Sequence, residues 1–246
     1  MRWRSSGNAS PADANRVTGP AAPGAAQAAS LADANRRARR AALGAALALP
    51  WALAVRSASA GAQQYEPLAA AVRSALAARI ADTAPPQRKF DRVDDRVAYV
   101  GWLADMSQRL VAQEPEYRTR VDLLRTLDYE CTRAGLDRQM ILGLIQVESA
   151  FRKYAISPAG ARGYMQVMPF WTSLIGDGDD RRLFDMRTNL RYGCVILRYY
   201  LDAEQGDLYR ALGRYNGSLG RPEYPQAILA AWHGRWNYIP RASASE

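Results

Sequence analysis

Apolar side chains recur at helical spacing along most of the chain from residue 66 onward. Leu68, Val72, Leu76 and Ile80 fall four positions apart, which places them on one face and predicts a helix over residues 66–82. The segment Ala84-Pro85-Pro86-Gln87-Arg88 ends it, because proline has no amide donor and its ring clashes with the preceding turn. Val97, Val100, Leu103, Met106 and Leu110 make a second stripe, with Asp94 as the expected cap and Glu114-Pro115 as the stop. A third helix is expected from Tyr117 to Ala134, where Leu124, Leu127 and Cys131 share a register and Gly135 follows. Asp137 then caps a helix carrying Met140, Ile141, Leu144, Ile145 and Val147 that ends near Phe151. Downstream, Thr188 or Asp185 opens a helix with Leu190, Cys194, Leu197 and Leu201 on one face and Gly193 permitting close approach. A last helix starts around Pro225 and ends near His233 and Gly234. No alternating strand pattern accompanies these stripes, so the fold class is all-α.

The first 62 residues follow other rules. Residues 1–35 are rich in Ala, Pro, Gly, Ser and Asn, with few large apolar side chains to offset ordering entropy, and are expected to be disordered. Arg36, Arg37, Arg39 and Arg40 precede an apolar run from Ala41 to Val55, and Arg56 and the small residues Ala58 to Ala62 follow it. Basic, then apolar, then small is the layout of a secretory signal peptide. The run of 15 residues is shorter than the roughly 20 needed to span a bilayer as a helix. Cleavage after Ala60 and after Ala62 both fit the small-residue rule, and the general and twin-arginine export routes both remain open. No Cys follows the run, which excludes a lipid-attached N-terminus. The chain therefore divides into a leader (1–62), a helical extension (63–115), and a domain at 116–240 where turns, aromatics and polar motifs concentrate.

Composition narrows the chemistry. The net charge is +9, but residues 1–60 hold eight Arg and two Asp, so the remainder carries 25 basic and 22 acidic residues. Most of the basic excess belongs to the leader, which argues against a nucleic-acid partner. One His and two Cys leave no zinc pattern and no recognisable Cys nucleophile, and no metal or organic cofactor is implied.

Glu148 follows Leu144 by four residues, Ile145 by three and Ile141 by seven, which puts a carboxyl on the buried stripe of its helix. Such a Glu either pairs with one of the many Arg residues or, removed from water, keeps its proton. A carboxyl protonated near neutral pH is what a general acid needs to protonate a leaving oxygen. A turn-rich loop from Arg152 to Gly163 follows and leads into Tyr164-Met165-Gln166-Val167-Met168-Pro169.

Three blocks, Glu148-Ser149-Ala150-Phe151, Gly163 to Pro169, and Arg214-Tyr215-Asn216-Gly217-Ser218, resemble the signature blocks of the soluble lytic transglycosylase catalytic domain of family 1. That family has a goose-type lysozyme fold, and the resemblance runs from about Glu116 to Trp236. It implies that Glu148 is the single catalytic acid and base. Ser149 would orient the carboxyl or the sugar; Tyr164, Met165 and Gln166 would line a saccharide groove; Tyr215 would approach Glu148, and Asn216 would position backbone and substrate. Tyr164 stands where the family more often has Leu, Arg214 where it has Ala, and Gly217-Ser218 where it has Ala-Gly, departures that bear on subsite preference more than on chemistry.

The implied reaction cleaves the bond between N-acetylmuramic acid and N-acetylglucosamine without water and leaves a 1,6-anhydro end, with peptidoglycan strands as the partner and the periplasm or cell envelope as the location. A hydrolytic muramidase and a catalytically idle wall-binding module are the alternatives. Asp177, Asp179, Asp180 and Asp185 are read as turn and cap residues, or else as a source of a second carboxylate for hydrolysis. Cys131 and Cys194 either pair in an oxidising envelope or stay as buried thiols. Tyr192, Tyr199, Tyr200, Tyr209, Tyr224, Trp232 and Trp236 offer flat faces for sugar rings or pack in the core. The extension at 63–115 is either a surface for envelope proteins or a brace, and oligomeric state stays open.

Overall fold

The computed structural model describes residues 63–82 and 88–240; the expected leader lies outside the described residues. Among the described residues there are eight α-helices, one 3-10 helix and no extended strand. They are α1 (Ala70–Ala81), α2 (Val93–Arg109), α3 (Tyr117–Ala134), α4 (Arg138–Ser149), α5 (Phe170–Ile175), α6 (Met186–Ala203), α7 (Leu208–Asn216) and α8 (Glu223–His233), with the 3-10 turn at Asp180–Phe184. The all-α expectation holds, and the arrangement is lysozyme-like.

Helix boundaries differ from the sequence pattern where tertiary contacts intervene. α1 begins at Ala70 rather than Glu66; residues 63–69 carry no regular secondary structure, and Glu66 is engaged by Arg214 at 3.1 Å. Arg92, not Asp94, occupies the cap position of α2, and Asp94 lies in its first turn, where a negative charge favours the helix N-terminus. Asp185 rather than Thr188 caps α6, its carboxylate accepting from the Thr188 amide at 2.9 Å. α4 stops at Ser149, and α8 begins at Glu223 with Pro225 in its first turn, where no helical donor is missed. α5, α7 and the 3-10 turn carry too few residues for a periodic stripe to announce them.

One apolar core runs through all of these elements. Leu76 of α1 and Trp102 and Met106 of α2 share it with Leu124 and Leu127 of α3, Ile141 and Leu144 of α4, and Ile196 and Leu197 of α6. The extension thus braces the domain: α1 packs on α5 and α6, and α2 packs on α3. Ion pairs fix the seam. Buried Asp128 accepts from Arg88 and Arg138, each at 2.6 Å, and the Arg138 guanidinium lies 4.0 Å over the Trp102 ring. Glu130, also buried, holds Arg191 at 2.9 Å and Arg133 at 3.0 Å. A buried carboxylate is tolerated only with such partners, so removing either arginine of a pair would leave a charge poorly compensated.

The closest helix crossing positions the site. At Gly143, in the middle of α4, a Cβ would stand 3.1 Å from the Ile228 carbonyl oxygen and 3.1 Å from the Trp232 amide nitrogen. Glycine therefore lets the backbone of α8 lie directly on α4. From this crossing, five residues along α4 reach Glu148 and four residues back along α8 reach Tyr224, so the antiparallel pair brings those side chains together.

Candidate active site

Asp137 starts α4 by accepting from the amides of Gln139 at 2.7 Å and Met140 at 2.9 Å. The helix buries Met140, Ile141, Leu144 and Ile145, and Glu148 continues that stripe into its last turn with only 9% of its surface exposed. The Tyr224 hydroxyl donates to Glu148 Oε1 at 2.5 Å. Asn216, at the C-terminal end of α7, lies beside the same carboxyl.

Burial pushes the Glu148 carboxyl up from its ordinary 4.5 to about 8; Tyr224 and then Asn216 oppose the rise by favouring the anion. No cation enters that balance, so of the two environments the sequence left open, Glu148 occupies the neutral one. The result is a carboxylic acid that holds its proton near neutral pH, with the Tyr224 hydroxyl bonded to it and the Asn216 carboxamide beside it.

Behind the acid the chain turns sharply. Ala150 (φ 50°) and Phe151 (φ 63°) are both left-handed, at a cost on the order of 1 kcal/mol each for residues other than glycine. Phe151 is held by Trp236, ring centroids 5.2 Å apart, and the Trp236 indole N–H donates to Gln146 Oε1 at 2.7 Å. Both ends of the turn are thereby tied to α4.

The Gly163–Pro169 block frames the site from the other side. The Ser149 hydroxyl donates to the Tyr164 carbonyl at 2.7 Å, with the Ile145 carbonyl at 3.2 Å. Asn189 of α6 accepts from the Met165 amide and donates to the Arg162 and Leu183 carbonyls, each at 2.8 Å. Gln166 (φ 49°) turns its amide inward onto the carbonyls of Gly163 at 2.8 Å and Ala155 at 3.2 Å. Gly163 (φ 74°) admits no side chain, since a Cβ would meet Asn189 Nδ2 at 2.4 Å and the Leu183 carbonyl oxygen at 2.5 Å. The Tyr215 hydroxyl donates to the Met165 carbonyl at 2.7 Å.

Of the residues singled out in the sequence, Asn216 therefore lies beside Glu148, with its Nδ2 enclosed and no completed hydrogen bond among the described residues. Tyr215 lies near enough to feel the Glu148 charge but spends its hydroxyl on the loop. Ser149, Tyr164, Met165 and Gln166 are at most 3% exposed and form the loop's own framework. The Tyr164 phenol, pushed up to about 12 by burial, is enclosed without a hydrogen-bond partner among the described residues.

Tyr224 and Asn189 are the working residues the motifs did not mark. A signal existed for both: Tyr224 heads the buried stripe Tyr224, Ile228, Ala231, where a phenol needs a partner, and Asn189 is a carboxamide beside the apolar face of α6.

The other candidates have separate duties. Asp177 pairs with Arg182, Asp179 caps the 3-10 turn and pairs with Arg181 at 2.9 Å, Asp180 pairs with Arg162 at 3.1 Å, and Asp185 caps α6. Cys131 and Cys194 are free, buried thiols in mutual contact, and burial pushes the Cys131 thiol well up. Tyr192, Tyr200 and Trp236 are core residues, while Trp232 stacks on His233 with centroids 4.6 Å apart. Among the described residues no cluster of three His, Cys, Asp or Glu has the geometry to hold a metal, and no helix is long and apolar enough to cross a membrane.

The described residues form an all-helical, lysozyme-like arrangement with a carboxyl buried at the end of α4. Residues 127–227 match the family model of the transglycosylase SLT domain. Among curated proteins, the membrane-bound lytic murein transglycosylase C of Haemophilus influenzae (strain PittEE) is 31% identical over 130 residues, covering 47% of this chain and 36% of that protein. The protein of the same name from Histophilus somni (strain 2336) is 32% identical over 116 residues, covering 41% and 30% respectively. That of Glaesserella parasuis serovar 5 (strain SH0165) is 44% identical over 62 residues, covering 24% and 16%. The chain thus spans about a third of the length of the first two relatives it matches.

Proposed function

We propose that the protein is a peptidoglycan lytic transglycosylase in which Glu148 acts first as acid and then as base. The observation that carries this reading is the Glu148 carboxyl, buried at the end of α4 and bonded to the neutral Tyr224 hydroxyl, a burial that pushes its pKa up to about 8. Glu148 protonates the oxygen between N-acetylmuramic acid and N-acetylglucosamine, and the C1–O bond breaks. Tyr224 and Asn216 stabilise the carboxylate left behind. That carboxylate takes the proton from the muramoyl C6 hydroxyl as its oxygen bonds to C1, which regenerates the acid and closes a 1,6-anhydro ring. No water is consumed and no second carboxylate is needed.

Two-carboxylate glycosidases keep their pair about 5 to 9.5 Å apart across the scissile bond. The engagement of Asp177, Asp179, Asp180 and Asp185 in caps and ion pairs supports a single-carboxyl mechanism instead. The substrate lies outside the cytoplasmic membrane, so the basic, apolar and small-residue leader fits export to the envelope, with cleavage at Ala60 or Ala62. Mass analysis of sacculus digests tests the chemistry. Anhydro ends are one water lighter than reducing ends; reducing ends alone would make the protein a muramidase, and unchanged turnover by Glu148→Gln would remove Glu148 from the mechanism.

A further inference from the structure

Gln63 is the first described residue, 105 positions from its hydrogen-bond partner, and yet only 3% of it is exposed. Its side-chain oxygen accepts from the Met168 amide at 3.2 Å, the last amide before Pro169, which has none to offer. Its Nε2 is enclosed with no completed hydrogen bond among the described residues, and the carboxamide lies against the Tyr215 hydroxyl. That hydroxyl already donates to the Met165 carbonyl and retains a lone pair to accept from Gln63.

The residues that follow hold the segment in place by other means. Tyr65 sets its ring edge-on to Phe170 at 5.7 Å, and Glu66 pairs with Arg214 at 3.1 Å. A tether needs nothing more. Burying a carboxamide is unfavourable unless it is hydrogen-bonded, so its insertion between the two blocks asks for a purpose beyond anchoring. Block 214–216 brings Asn216, which follows Tyr215 directly, beside Glu148, and block 164–168 meets the next residue, Ser149, through the Tyr164 carbonyl.

We infer that Gln63 is a positioning residue for the Glu148 site, clamping the Met165–Met168 loop to Tyr215 so that Asn216 stays beside the acid. It acts through these neighbours and touches no substrate. Only the turnover measurement below rests on the proposed function.

The test compares variants in the full chain. Gln63→Met keeps the length and removes the polar atoms, Gln63→Glu keeps the acceptor for the Met168 amide, and Tyr65→Ala loosens the same segment elsewhere. The first readout is the Glu148 titration midpoint, taken from carboxyl carbon resonances and assigned with Glu148→Gln. In Gln63→Met the midpoint is expected to rise by up to about one pH unit as Asn216, which pulls it down, leaves the carboxyl. On sacculi, kcat is expected to fall about tenfold with KM within about twofold, as for misplaced catalytic geometry. Gln63→Glu, which keeps the acceptor for the Met168 amide but loses the donor toward Tyr215, recovers only part of both, and Tyr65→Ala lowers the melting temperature without moving the midpoint.

A folded Gln63→Met with an unmoved midpoint and parental kcat overturns the inference, and so does an equal midpoint shift in Tyr65→Ala. Should Gln63→Met not fold, Gln63→Asn, one methylene shorter, takes its place with the same expectations. The titration needs no substrate, so a chain that cleaves no glycan would refute the proposed function while leaving this clamp to be judged on the midpoint alone.

Discussion

The hydroxyl of Tyr224 donates to the carboxyl of Glu148 across 76 positions of sequence, the pair being set face to face by the α4–α8 crossing at Gly143. The bond is of most use after the proton has left, because it then meets a charge. Tyr224→Phe is therefore expected to lower kcat by about 10- to 100-fold with little change in KM. It should also move the Glu148 midpoint upward, since the hydroxyl pulls it down. Steady-state kinetics across pH, with circular dichroism to verify folding, checks both.

Activity should fall on the alkaline side. The acid is competent while protonated, and its carboxyl is held up to about 8, so the rate is expected to decline as pH rises through that value rather than through 4.5. A pH–rate profile on solubilised glycan strands measures the limb. A fall already complete below pH 6 would contradict the assignment.

Stability should carry the same signature. Between about 4.5 and 8 the folded chain holds a proton on Glu148 that the unfolded chain has released. The contribution is therefore fully present below the lower value and is lost as pH rises through the upper one, on the order of a few kcal/mol in all. Urea unfolding at a series of pH values is expected to show the decline, and Glu148→Gln, which cannot ionise, to flatten it.

Asn189→Ala removes three hydrogen bonds at once, taking from the Met165 amide and the Leu183 carbonyl their Asn189 partner inside the protein, while the Arg162 carbonyl keeps the Val167 amide at 3.0 Å. A loss of about 2 to 4 kcal/mol is expected, measurable as a lowered urea midpoint. Asn189→Asp restores the acceptor for Met165 but not the donors, so it should recover only part of the stability.

Periodicity carried the long helices, because α3, α4 and α6 each bury a full stripe and their stripes are read directly from Leu, Ile and Val positions. The position of Glu148 on such a stripe was legible for the same reason. What surrounds it was not. Asn216 and Tyr224 reach the carboxyl from α7 and α8, whose placement depends on a backbone approach at Gly143 that no local pattern expresses. The inward-facing side chains of Tyr164, Met165 and Gln166 follow from the left-handed residues Gly163 and Gln166, and loop geometry of that kind is fixed by tertiary hydrogen bonds rather than by spacing. The non-helical start of the extension, residues 66–69, which the stripe from Leu68 onward reads as helix, is held by distant partners: Gln63 meets Met168 and Glu66 meets Arg214.

The two groups that receive the Glu148 charge, Asn216 and Tyr224, arrive from far along the polypeptide. In a newly made, unstructured chain the same side chain is an ordinary ionised glutamate with no power to protonate an ether oxygen. Under the proposed function, catalytic capacity would therefore appear only in the compartment where α7 and α8 finally dock, and a polypeptide crossing a membrane unfolded would travel chemically inert.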